Sequence, residues 1–593
     1  MKKIPSFHHL QGHISLFLSV IQLSIISFVF IPPINAGTKL IPISEPNDWT
    51  GLIDSLSKAK MAGINIYVSL LPPSKTPPIC QTCNYSEPYR LDFISWAKEI
   101  ANLSLRYSNL TGYTIEDLQE NLNLGYIRQT YLDSMEAESK SINPKLQFIT
   151  LHNIYYVDRD ASGNGSGSSW TNASKTVSGL HWATINGGDT VYISGGTDST
   201  VYSTGHSGIA GINYIMNKTA IGNPIVITKG KDAGHNGDVY FTQNESPMRG
   251  YAFSLDNCHN IKLTGLIFTS ELTEAGTSHC LYLSDTCSNC IIDNCQITSN
   301  GSANGITFSY ADSITINNCT ITVTSNNLSN DQDNVHIGAG IGGYIFTNNK
   351  FYNYGYNSTP HNDLIQIGIS GSASLLQTVI ANNLFYYVAP PGTGGAGCIY
   401  VSGSYGERYL IYNNVFVFDN TSTYAGITMY RYDDTKHLSA RIFNNTFVGG
   451  MPAVNSMDLY TMDTVIVKNN IVVNDSGARN YIKFRGMSTY TYKDIDYNHY
   501  WSHNLSGDPY VTDSLNHGVD WGTWQGKGYD THSDTGTVSF ANIWGTDASD
   551  YMLSSGSAGI DAGTDLSAYF TTDILGTARP RGAGWDKGAL ESK

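Results

Sequence analysis

Two short stretches bring together residues that could do chemistry. Asp333-Asn-Val-His-Ile-Gly338 and Asp363-Leu-Ile-Gln-Ile-Gly368 align at one constant offset, Asp333 with Asp363, His336 with Gln366 and Gly338 with Gly368. Val335, Ile337, Ile365 and Ile367 alternate with the polar positions, so in extended backbone they take one face and leave the other to His336 and Gln366. If that offset is one turn of a coil, His336 stacks on Gln366, and Asp331, Asp333, His361 and Asp363 gather at the preceding turn. Neighbouring strands lie about 4.8 Å apart, so these carboxylates and imidazoles would sit within one or two such spacings. Paired carboxylates at that range share acid–base work or hold a hard cation, which makes Asp331, Asp333 and Asp363 the candidate Ca2+ ligands. Histidine moves protons near neutral pH, so His336 and His361 are candidate acid–base groups. The plainer reading stays open: aspartate before a strand is a common turn residue, and outward His and Gln occur on any sheet surface.

A repeat spells out the elements that must position these groups. From about residue 153 a short unit recurs: an apolar residue, any residue, Asn, two of any kind, then Ile, Phe or Val. Its copies are Ile292/Asn294/Ile297, Ile316/Asn318/Ile321, Phe346/Asn348/Phe351, Ile380/Asn382/Phe385, Ile411/Asn413/Phe416, Ile442/Asn444/Phe447 and Val467/Asn469/Val472. Leu263/Gly265/Phe268 is an earlier copy with glycine in the Asn place. The Asn positions follow one another at intervals of the length that repeat architectures use for one stacked unit. Two or three short strands plus turns consume that length, and a helical period is absent, so the expectation is a β solenoid whose turns stack. Asparagine tolerates the left-handed bend between strands, and its amide can bond the copy above, so the Asn run is expected to be a structural ladder. Cys258/Cys287 and Cys295/Cys319 fall at equivalent places of successive turns, as inward-stacked residues would. By the same register Tyr282 and Thr307 precede the His336 turn, while Tyr400, Tyr430 and Arg431 follow it.

Composition agrees with extended structure. The 593 residues contain 58 Gly and 39 Tyr but only 14% charged residues. A net charge of −15 excludes a generic nucleic-acid binder and disfavours docking to anionic lipid. Lys2 and Lys3, an apolar run from Ile14 to Ile31, Pro32, Pro33 and a small-residue site at Ala36-Gly37 follow the order of a secretory signal peptide over residues 1–36, with an uncleaved anchor as the alternative. The expected location is therefore secreted or at the cell surface, with no other membrane span. Nine cysteines are too few for a disulfide framework, and Cys80-x-x-Cys83 and Cys287-x-x-Cys290 are expected to be local disulfides or buried thiols.

Residues 37–150 alternate differently. Asp48 is a candidate N-cap before Leu52, Leu56 and Ala59, and Gly63 is a natural stop. Strand-like Ile64–Leu71 follows, then a helical stripe of Phe93, Trp96, Ile100 and Leu103. Tyr113–Leu118, a helix over about 125–139 and Leu146–Ile149 complete a parallel βα unit. Glu116 and Asp117 stand at a strand's carboxyl end, as an acid–base pair or as ordinary capping acids. The order of elements, with Trp96-Ala-Lys-Glu-Ile-Ala and Tyr113-Thr-Ile-Glu-Asp, resembles part of a TIM-barrel glycosidase-like domain. This stretch is too short to close an eight-fold barrel, which takes about 250 residues.

The stretch from 153 to about 505, opening on Tyr155-Tyr-Val-Asp and Gly188-Asp-Thr-Val-Tyr-Ile, resembles the right-handed parallel β-helix family of pectate-lyase-like proteins. Residues 506–593 end on Ser557-Ala-Gly-Ile-Asp-Ala-Gly563, Asp573-Ile-Leu-Gly-Thr-Ala-Arg-Pro580 and Asp586-Lys-Gly-Ala-Leu-Glu591. These are similar to the closing signature of bacterial secreted β-helix proteins, with Ala558, Lys587 and Leu590 departing from the usual proline, apolar and aromatic residues. The resemblance implies a mainly β fold, a right-handed parallel β-helix preceded by a small α/β unit. It also implies an outward groove in which a polysaccharide or surface glycan is bound and cleaved or modified by a monomer, with Asp333, His336, His361, Asp363 and Arg431 as catalytic candidates. Gln366, Tyr282, Tyr400 and Tyr430 would line the groove, since aromatic faces suit sugar rings. Arg431 would hold a uronate carboxylate or, like His336, serve as base, no lysine being expected in the aligned rungs. A Ca2+ ion is the one cofactor this pattern accommodates. The rival expectation is a non-catalytic glycan-binding or adhesion protein on the same scaffold. A working site requires Asp333, His336 and Asp363 to converge on one open groove; a scaffold leaves them separated, buried or capped.

Overall fold

The computed structural model describes residues 38–592 apart from 44–47, 78, 81–83, 117, 119–120, 122–125, 149–152, 204–212, 244–248, 272–276, 302, 326–331, 341, 355–361, 370–375, 389–396, 404–407, 420–424, 432–437, 450–454, 475–481, 486–489, 503–510 and 513–517. The signal-like segment lies outside the described residues. Among those described, no helix is long and apolar enough to cross a membrane.

The first unit is a four-stranded parallel sheet in the order β1 (Thr38–Ile43), β2 (Asn65–Leu70), β3 (Leu110–Ile115), β4 (Gln147–Phe148). Helices α1 (Asp48–Met61), α2 (Phe93–Arg106) and α3 (Gln129–Ile142) are the crossovers. Asp92 caps α2 by accepting the Ser95 N–H at 3.1 Å, and the apolar stripe Phe93, Trp96, Ile100 and Leu103 is buried. Trp96 meets Trp49 edge-on at 5.0 Å. The strands and helices alternate as the sequence pattern requires, and the four strands pair in chain order.

The rest is the solenoid. Each turn contributes one strand to each of three stacked sheets, which we call faces A, B and C. Face A runs from Ile154–Val157 to Tyr492–Asp496, face B from Ser199–Ser203 to His499–Ser502, and face C from Tyr214–Thr219 to Gly518–Val519. They contain 12, 11 and 12 strands, all parallel except for the last pairing of face C. This is a right-handed parallel β-helix. Inward residues stack on their equivalents one turn away, as in the ring column Phe351, Phe385, Phe416 and Phe447 at 4.8, 4.8 and 4.6 Å. Such rings gain both buried area and offset-stacking geometry.

The corner between faces A and B needs one residue at positive φ, and that residue is the repeated Asn: φ is 50° at Asn294, 53° at Asn318 and 58° at Asn348 and Asn382. The strongest ladder belongs to the residue after it. Asn349, Asn383, Asn414, Asn445, Asn470 and Asn498 are buried, and each amide in the first five donates to the next Oδ1 at 3.0–3.1 Å. In earlier turns Cys295 and Cys319 take that place. Seven of the described cysteines are buried free thiols, including Cys287 and Cys290. Cys80 is disulfide-bonded, and Cys83 lies outside the described residues.

The C-terminal segment returns along the coil. Asn413 and Asn469 donate to Thr572 O and Thr564 O, while Arg579 and Glu591 form a buried ion pair at 2.6 Å. Asp561, at φ 54°, accepts the Gly584 N–H, and Asp586 accepts the N–H groups of Asp561 and Ser592, so both act as turn and cap residues. Lys587, the residue departing from the usual apolar one, is buried and reaches Asp534 at 2.6 Å and Asn498 O at 3.2 Å. The segment lays Val538, Tyr551, Leu553 and Leu590 over outward Leu384, Val415, Val417, Val448 and Val473 of face B. Leu566, Phe570 and Trp585 cover Leu410 and Phe443 of face A.

Candidate functional site

Face C leaves Gln366, Tyr400, Ser402, Tyr430 and Tyr460 partly exposed, but Asp458 buried, over the turns where outward residues of faces A and B are covered. Its register sets Tyr282, Thr307, His336, Gln366 and Tyr400 in one outward row, continued by Thr428, Asp458 and Lys483. The alignment of His336 on Gln366 is as the constant offset requires, and Val335, Ile337, Ile365 and Ile367 point into the core. Lys483 corrects the expectation that no lysine joins the row. Tyr430 belongs to the neighbouring row, beside Ser402 and Tyr460. The backbone of Arg431 pairs with Gly403, three residues past the row position held by Thr428, and its side chain lies outside the described residues. So do Asp331 and His361.

Asp333 and Asp363 do not face the groove. Both are buried, at the corner where the chain enters face C. There they carry a chain of side-chain-to-backbone bonds. Asn304 Oδ1 accepts the Asp333 N–H at 3.0 Å, Asp333 Oδ1 accepts the Asp363 N–H at 2.7 Å, and Asp363 Oδ1 accepts the Gly397 N–H at 2.6 Å. The sequence explains the arrangement: a short acceptor side chain one turn away replaces the ladder bond that a strand start lacks. The second oxygen of Asp333 does something else. Oδ2 lies 2.7 Å from Nδ1 of His336, whose ring reaches the surface. Burial pushes the Asp333 carboxyl up to about 7; the His336 bond opposes that shift and the neighbouring Asp363 charge adds to it.

Two residues that sequence spacing did not single out complete the cluster. His279 and Asn304 occupy the corner positions of the two preceding turns, and His279 Nδ1 lies 2.8 Å from Thr307 Oγ1. Burial first, then the His336 imidazole, holds His279 down at about 3, so it is neutral at ordinary pH. Tyr282 stacks on His279 at 5.0 Å and on Tyr251 at 5.7 Å. Their signal was a recurrence one turn apart, from His279 to Asn304 to Asp333, hidden because successive turns differ in length.

The described donors do not fit a resident Ca2+. Both oxygens of Asp333 and one of Asp363 already have protein partners, and no group of three metal-holding side chains occurs among the described residues. In the α/β unit Glu116 accepts from Ser69 at 3.3 Å and pairs with Lys75 at 3.2 Å, and Asp117 lies outside the described residues.

No protein-family model matches the chain, and no curated protein does. Among solved structures it is similar to the crystal structure of pectate lyase Pel9A, at 18% identity and a TM-score of 0.41, over 75% of this chain and 98% of that one.

Proposed function

We propose that the protein is an exported carbohydrate-active enzyme that receives an extended polysaccharide across face C. His336, held by Asp333, moves the proton in its cleavage. The observation carrying this reading is the 2.7 Å bond from a fully buried carboxylate to the inner nitrogen of a surface imidazole. With hydrogen on Nδ1, that bond fixes the ring and directs Nε2, as the base, at the groove. Tyr282, Gln366 and Tyr400 in the same row supply ring faces and hydrogen-bonding groups spaced at rung intervals, and Tyr430 adds a ring from the next row. Such a base serves either removal of a proton from a sugar carbon or activation of water.

A glycan-binding protein without catalysis is the second reading. It is favoured by one observation: Asp333 and Asp363 satisfy backbone N–H groups, as scaffold residues would. A polysaccharide panel separates the two. Wild type is incubated with each polymer with and without a chelator, following ultraviolet absorbance of unsaturated products, new reducing ends and binding. Cleavage unaffected by the chelator is expected; binding without product on every polymer supports the second reading, and neither binding nor product defeats both.

A further inference from the structure

Gly338 and Gly368 occupy outward positions two residues beyond His336 and Gln366, and the row continues through Ser402 to Tyr430. Neither backbone asks for glycine, because neither residue is among those with positive φ. Nor does packing forbid a side chain. A Cβ at Gly338 would meet His336 Nε2 at 3.5 Å and Cδ2 at 3.8 Å, ordinary contact. At Gly368 it would meet Ile337 O at 3.3 Å, a small strain, with Ser402 Oγ at 3.7 Å. The register shift after Phe308 places Gly338 at a bulge, which bends the strand without needing glycine at ordinary φ. A glycine inside a strand weakens it, and two in successive rungs weaken it twice. The remaining physical reason is close approach of something to the backbone.

Resting on the proposed reading of face C, we infer that the Gly338–Gly368–Ser402 strip is the floor on which one flat sugar unit lies. The outer nitrogen of His336 stands at one edge of this floor and Tyr430 at its far end. The strip spans two rung spacings, about 10 Å, which is room for one to two sugar units. Tyr430 is held in place for this: its ring stacks on Tyr460 at 4.8 Å and 7°, and Arg485 rests over Tyr460 at 6.0 Å while pairing with Asp458 through two bonds of 2.9 and 2.5 Å. A floor with no side chain larger than the Ser402 hydroxyl selects a linear chain whose ring face is unsubstituted, because a branch or acyl group on that face would lift the ring away from His336. Gly338 and Gly368 are thus specificity-determining positions and Tyr430 a positioning residue.

The test compares wild type, Gly338→Ala, Gly368→Ala and Gly368→Val on a linear polysaccharide and its branched or acylated counterpart. Expected is an unchanged or higher Tm in Gly338→Ala, which adds strand propensity, and a Tm little changed in the Gly368 variants, where the added propensity is offset by the 3.3 Å contact with Ile337 O. KM should rise about tenfold or more in Gly368→Val, and less in the alanine variants, with kcat little changed. Wild type should prefer the linear polymer. If wild type turns over substrate and the glycine variants match it in KM at unchanged Tm, the inference fails and the reading of face C stands. If wild type neither binds nor cleaves any polymer, the reading itself fails and this inference with it.

Discussion

Asp333 has two jobs that pull on its protonation in opposite directions. Burial favours the neutral acid, while the bonds from His336 and the Asp363 N–H favour the carboxylate. Because its folded pKa of about 7 lies above the ordinary value of 3.8, the group contributes stability at low pH that is lost as pH rises through about 7. The Tm of wild type relative to Asp333→Asn should therefore fall between about pH 4 and pH 7, followed by thermal melts across that window. A difference flat with pH would show that Asp333 is not strained by burial. Removing the imidazole in His336→Ala takes away a bond that lowers the Asp333 pKa, so the same fall should extend to higher pH. The constant offset between the two stretches makes the pairings of Asp333 with Asp363 and His336 with Gln366 legible, since both depend only on alternation and turn length. It does not show that the aspartates turn inward, because corner geometry decides that. Tyr430 lies a row away from its expected place because outward position must be counted within each strand, and turns of unequal length absorb their differences in the loops.

The corner between faces A and B assigns two roles to two adjacent asparagines. The first takes the positive φ and the second is buried in an amide ladder. Asn414 shows what the second is worth: its amide donates to Ile380 O at 2.8 Å and Asn445 Oδ1 at 3.0 Å, and its Oδ1 accepts from the Asn383 backbone at 2.9 Å. Asn414→Ala leaves buried donors and acceptors unpaired and should cost about 3 kcal/mol, read as a lower denaturant midpoint. Asn318→Gly, which keeps the bend and removes one exposed amide, should stay within about 0.5 kcal/mol of wild type. Equal losses at the two positions would contradict this division of labour. The sequence pattern reveals the first Asn by its recurrence. The second is masked because Cys295 and Cys319 fill its place in earlier turns, and only burial distinguishes a bend from a ladder.

At the scale of the molecule, the closing segment decides which face is available. The runs Leu384-Phe-Tyr-Tyr-Val388 and Val415-Phe-Val-Phe418 are apolar on both sides of the strand, a pattern that requires cover on the outer side too. The segment from Val538 to Leu590 supplies it, locked by the buried Arg579–Glu591 pair. Arg579→Ala would strand the Glu591 charge and should destabilise by about 3–5 kcal/mol, with increased binding of a hydrophobic dye as outward Val415 and Val448 are uncovered. An unchanged melt and no dye signal would mean that the segment is an ornament rather than a clasp. The cover lies over the turns after the His336 turn, where the outward row of face C continues through Gln366 and Tyr400, so an extended ligand that meets the Asp333–His336 pair would run along face C. The most direct check of that claim is the initial rate of polysaccharide cleavage by wild type and by His336→Ala, each shown to be folded by circular dichroism. The rate should fall about 100-fold or more in the variant, the usual contribution of a positioned acid–base group. Equal rates from the two folded proteins would place the chemistry elsewhere and contradict the account.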